Sequence, residues 1–231
     1  FFNNKLFVLD SGNNRIQIFS EGLDLISIIN LPKVQKNLPQ EIALSSDKIF
    51  VVYTYDYIVK VFDYNGNFLS QFPVSWTTDL EADDNFIYVM EPLVGSIIAY
   101  DHQGIIKKQF EAHKNVHYIN SDEKNLIVSG PHHSVNIPPE ILVYEKDSGV
   151  IKKQFPTSEF VFGSAIIDDM ILFLESDTIK IIDFDGKLVF EYDLEQDMEN
   201  VRHTRIEINK DIIFVPDVQD NSVKILKIIH K

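Results

Sequence analysis

The chain has 231 residues, enough for one well-cored domain, and its 45% hydrophobic and 24% charged residues are globular values that argue against disorder. A formal net charge of −14 repels phosphate backbones, which excludes duplex DNA or RNA as the expected partner. The absence of cysteine excludes disulfides, thiolate metal sites and a cysteine nucleophile, and no apolar run reaches the length of a membrane span.

Leu6 to Phe19, LFVLDSGNNRIQIF, is an apolar run, a polar turn and an alternating run: two strand patterns joined as a β-hairpin. The apolar first strand recurs with starts near Leu6, Ile49, Ile87, Leu126, Ile171 and Ile213, at steps of 43, 38, 39, 45 and 42 residues. Each is followed by a second strand, at Arg15–Phe19, Ile58–Phe62, Ile97–Tyr100, Ile141–Tyr144, Thr178–Ile182 and Ser222–Leu226. A glycine closes the next turn at Gly22, Gly66, Gly104, Gly149 and Gly186, where positive φ is easily adopted. A third strand follows, and the string IKKQF, found at 106–110 and again at 151–155, marks the same period. A short fourth candidate precedes each later hairpin, at Glu41–Ser45, Asp79–Ala82, Val116–Asn120, Phe162–Ile167 and His203–Ile208.

Four antiparallel strands in about 40 residues, repeated, is the signature of β-propeller blades. The expectation is an all-β, six-bladed β-propeller of four-stranded antiparallel blades, occupying residues 1–231 as a single domain. The first repeat lacks its innermost strand and the last its outermost. Propellers close by letting one terminus complete the blade begun by the other, so residues upstream of Phe1 are expected to supply the absent strands.

The first hairpin resembles the NHL repeat, whose pattern places an acid, an asparagine, Arg-Ile and an aromatic where this chain has Asp10, Asn13 or Asn14, Arg15, Ile16 and Phe19. The later repeats keep the apolar frame and turn glycines without the arginine. The resemblance implies a divergent NHL-like propeller of a kind common in bacterial surface and exported proteins. It implies an extracytoplasmic, binding scaffold more often than an enzyme, although related six-bladed propellers include lyases and hydrolases. Asp10, Asn13 and Arg15 read as structural, holding their blade's turn.

Residues ending the first hairpin strand gather at one end of a propeller's channel. They are Asp10, Tyr53, Glu91, Gly130, Glu175 and Asp217, four of them acids that could ring a divalent cation such as calcium or a cationic ligand. Their alternative role is turn chemistry. His117 and His203 start innermost strands and His132–His133 sit in the fourth hairpin loop, so His117, His133 and His203 are candidate zinc ligands on the same face, or else ordinary surface histidines. The segment Ser129 to Glu140, SGPHHSVNIPPE, is the longest irregular insert, the kind of loop in which binding concentrates. Trp76 precedes the third repeat's innermost strand, able to stack on a ligand or to pack between blades.

These features predict a non-enzymatic module that binds a protein, peptide or glycan through the loop face around the channel, with no cofactor. Its candidate ligand-binding residues are Tyr53, Trp76, Glu91, His117, His132, His133, Glu175, His203 and Asp217. The alternative is a metal-assisted lyase or hydrolase with a histidine and carboxylate site at the channel mouth. A third reading is a spacer domain in a longer or membrane-anchored chain.

Overall fold

A computed structural model describes residues 2–32, 37–113, 116–130, 139–167, 169–194, 206–209, 212–217 and 222–227. The chain divides into two compact units, Phe1–Ala112 and His113–Lys231. Among the described residues their secondary structure is β, apart from short 3-10 turns.

In the first unit, β1 (Lys5–Asp10), β2 (Arg15–Ser20) and β3 (Leu25–Asn30) form a three-stranded sheet. The second sheet is β4 (Glu41–Leu44), β5 (Ile49–Tyr53), β6 (Ile58–Phe62) and β7 (Phe68–Pro73); the third is β8 (Asp79–Ala82), β9 (Ile87–Glu91), β10 (Ser96–Tyr100) and β11 (Ile106–Glu111). In the second unit, β12 (Tyr118–Ser121), β13 (Asn125–Ser129), β14 (Glu140–Glu145) and β15 (Ile151–Pro156) form one four-stranded sheet. Another holds β16 (Val161–Ile167), β17 (Met170–Glu175), β18 (Thr178–Asp183) and β19 (Leu188–Asp193). The last has three strands, β20 (Glu207–Asn209), β21 (Ile212–Asp217) and β22 (Ser222–Lys227). All pairings are antiparallel between strands adjacent in sequence.

The expectation of six four-stranded blades is therefore corrected. Only four sheets reach four strands among the described residues, and the first and last stop at three. Before β1, Phe2 turns back on Lys5 in an isolated bridge, so residues 2–4 are a turn and not an innermost strand.

The two-residue period of each strand explains how neighbouring sheets pack. Ile49, Val51 and Tyr53 of β5 pack on Ile16, Ile18 and Ile29 of the first sheet. The alternate residues Phe50 and Val52 pack on Leu80, Ile87 and Val89 of the third. In the second unit, Ile141 and Val143 of β14 and Phe155 of β15 meet Ile171, Phe173 and Ile182 of the next sheet in the same way. A central strand such as β5 is thus buried on both faces, while the outer strands expose apolar side chains such as Phe68, Ile106 and Val189. One turn glycine is sterically obligatory: Gly104 has φ +82°, and a Cβ there would lie 2.3 Å from that of Phe72.

Candidate functional site

Hairpins β1–β2 and β5–β6 share one backbone: a 3-10 turn (Ser11–Asn13, Thr54–Asp56) followed by a left-handed residue, Asn14 at φ 52°, ψ 52° and Tyr57 at φ 57°, ψ 40°. Their chemistry differs. In the first, Asp10 accepts Nδ2 of Asn13 at 2.9 and 3.0 Å and Nε of Arg15 at 2.6 Å. Desolvation pushes the Asp10 carboxyl up, but the Arg15 and Asn13 hydrogen bonds outweigh it and hold the pKa below the usual carboxylate range. Asp10, Asn13 and Arg15 are thus bonded to one another within this turn.

Tyr53, at the place of Asp10, is fully buried. Nζ of Lys60 lies 4.5 Å from its ring centroid, while its hydroxyl has no hydrogen-bond partner. Burial, then the nearby Asp56 charge, push its pKa up to about 12, so the phenol stays protonated. Asp56 accepts the Asn37 amide on Oδ1 and nothing on its buried Oδ2. In the third hairpin Glu91 is 3% exposed; Oε2 accepts the Ser96 hydroxyl at 3.3 Å and Oε1 has no donor.

A chain of hydrogen bonds ties these two hairpins together. Thr54 Oγ1 donates to the Thr77 carbonyl at 2.8 Å, and Thr77 Oγ1 lies 2.6 Å from the Met90 carbonyl, next to Glu91. Trp76, partly exposed, precedes Thr77. These bonds link the residues next to Tyr53, Trp76 and Glu91 in the sequence, and Tyr53 itself packs toward the first sheet.

The second unit carries a groove with a volume of about 670 Å³, within the range of small-molecule sites. One wall is Lys153 to Ser158, from β15 and the turn after it; Phe173, Ile182 and Phe184 supply apolar surface. Two charge pairs line it. Lys153 Nζ lies 3.7 Å from Oδ1 of Asp185, and Lys180 bonds Oε2 of Glu175. Oε1 of Glu175 also accepts Ser158 N at 2.7 Å, Ser158 Oγ at 3.0 Å and Glu159 N at 3.0 Å. Burial favours the neutral acid, but the Lys180 bond and these donors outweigh it and leave the Glu175 pKa lowered; the same bond raises that of Lys180.

His117 lies just before β12 and not within it; its N–H donates to the Ser129 carbonyl at 3.1 Å. His132, His133 and His203 fall outside the described residues, as does the side chain of Asp217. Among the described residues no three His, Asp or Glu side chains are placed to share a metal ion. The described acids of the predicted column are bonded within their own hairpins, or to the adjoining turn in the case of Glu175. The sequence reading missed Glu140, which is 3% exposed and bonded to both His113 and Gln154. The signal available was an acid opening the otherwise apolar strand EILVY.

No family model matches the chain, and no curated protein does. Solved structures do. Streptogramin B lyase superposes with a TM-score of 0.68 at 16% identity, covering 100% of this chain and 82% of that one. A Bacteroides caccae protein of unknown function gives 0.68 at 14% identity, covering 96% and 89%. Hydrazine synthase of Kuenenia stuttgartiensis gives 0.65 at 10% identity, covering 97% and 92%. Likeness at these identities establishes the fold, a β-propeller of four-stranded antiparallel blades, and not a chemistry.

Proposed function

We propose that the chain is a non-enzymatic binding module, NHL-like in its first hairpin, whose second-unit groove takes an extended peptide segment. The observation that carries this reading is the groove's form. One wall runs along the strand residues Lys153 to Pro156, about 10 Å at strand rise, and continues into the turn at Thr157 and Ser158. Phe173, Ile182 and Phe184 offer apolar contact along it, and the Glu175–Lys180 and Lys153–Asp185 pairs are fixed points of both charges. An apolar surface with a few placed polar groups is the usual composition of a specific site. Lys180 uses one of its three donors on Glu175, which leaves N–H groups for a peptide carbonyl.

Panning a library of random linear peptides against the chain tests this. Enriched sequences should share apolar residues between polar ends, and their affinity should fall on the order of tenfold in Phe184→Ser and in Lys153→Glu, with folding retained. Failure to enrich any sequence, or enriched peptides that ignore both substitutions, would sink the proposal.

A further inference from the structure

We propose that the first unit holds a second site, at Glu91 of hairpin β9–β10, that binds an organic cation bearing a guanidinium or primary amine. The argument starts from how equivalent positions are filled. Asp10 has Arg15 directly opposite it across its hairpin, and Glu175 has Lys180 two residues beyond the opposite one. In each case the chain supplies its own cation. Glu91 has neither: the residue opposite it is Ser96, and the residue two further on is Ile98. A carboxylate only 3% exposed is left with one oxygen that receives no donor.

The adjoining hairpin also lacks a cation opposite its first-strand end, on the face turned to the first sheet. Ile58 stands opposite Tyr53, where the first hairpin has Arg15, and Lys60 is committed to the face of the Tyr53 ring. The Tyr53 hydroxyl and Oδ2 of Asp56 are buried without partners. The Thr54–Thr77–Met90 hydrogen bonds hold the two hairpins side by side. Oε1 of Glu91 is an acceptor, so its missing partner is a donor. The charge of −14 and the shielding of this oxygen both favour a positively charged one.

The tips add surface for the rest of such a ligand. Tyr55 is 66% exposed, Tyr57 53%, Leu93 64% and Val94 60%. Tyr57 also holds a left-handed backbone that the first hairpin gives to Asn14, so an aromatic is kept where a small polar residue costs less. Exposed tyrosine faces attract cations as well as apolar groups.

Agmatine carries both a guanidinium and an amine and is the probe. Calorimetric titration into the whole chain at low salt should show binding that weakens as salt is raised. Glu91→Gln, which keeps the shape and removes the charge, should weaken it about tenfold or more, the loss expected of a charged hydrogen bond. Ser96→Arg copies the arrangement of the first hairpin, so it should fill the site from within and abolish binding while the chain stays folded. Should the arginine not fit, the Glu91→Gln loss alone carries the test. No heat with agmatine in the wild-type chain, or binding in Glu91→Gln equal to that of the wild type, would overturn the proposal. So would preferential binding of a neutral sugar such as glucose.

Discussion

Hairpins β9–β10 and β17–β18 start from the same problem and solve it differently. Each ends its first strand in a glutamate almost removed from water, Glu91 at 3% and Glu175 at 5% exposure. Glu175 receives three donors on one oxygen and a lysine on the other, so its charge is neutralised where it stands. Glu91 has a single hydroxyl 3.3 Å away. A buried charge costs several kcal/mol unless it is paired and hydrogen-bonded. The difference teaches that one fold position can serve as internal cement in one blade and be left open to chemistry in another. The residue that decides is the cation across the hairpin, not the acid.

The largest effect should come from breaking the complete pair. Lys180→Met leaves Glu175 buried with its three other donors but no cation, and should cost about 3 kcal/mol by urea denaturation near neutral pH. The pH dependence has a definite sign. The Glu175 pKa is lowered in the folded chain, so its contribution is present above the unfolded value near about 4.3 and is lost as pH falls through the folded value. The Lys180 pKa is raised, so its contribution is present below about 10.4 and is lost as pH rises through the folded value. The stability gap between wild type and Lys180→Met should therefore narrow toward both extremes. A gap constant across pH would show that the ion pair is not its source.

The frame of this contrast was legible in the sequence, because the two-residue period and the turn glycines are local signals. Gly66, Gly104, Gly149 and Gly186 all take positive φ as their places predict. At the first such turn Leu23 takes it instead of Gly22, a one-residue shift that composition cannot distinguish. The column Asp10, Glu91 and Glu175 was also readable as a set. What each acid does was not, because its partners come from elsewhere in the chain. Ser158 and Glu159 reach Glu175 from 16 or 17 residues away, and His113 reaches Glu140 from 27. The groove beside β15 is lined from two sheets and the turns beside them, so no single segment encodes it.

Removing the charge from each glutamate sharpens the comparison with a smaller and oppositely signed effect. Glu175→Gln should cost about 2 kcal/mol, since it weakens four charge-assisted bonds and leaves Lys180 without its carboxylate. Glu91→Gln should be neutral or stabilising by up to about 1 kcal/mol, since it relieves an uncompensated buried charge. Urea midpoints of the two variants in one buffer decide it. Equal losses would mean that Glu91 is neutralised by some group beyond Ser96.

The smallest effect should be at the first hairpin, although its ion pair is the one most visible in the sequence. Arg15 and Asp10 keep 33% and 21% of their side-chain surface exposed, against 22% and 5% for Lys180 and Glu175. Water and salt therefore screen the first pair and hardly reach the second. Arg15→Gln also leaves Asp10 with both Asn13 bonds, so the turn keeps its main tie. The expected loss is below about 1 kcal/mol, and in about 1 M salt, where the Debye length is near 3 Å, it should fall close to zero. The loss in Lys180→Met should survive the same salt. If the two losses respond alike, burial is not what separates the hairpins, and the open carboxylate of Glu91 would need another explanation.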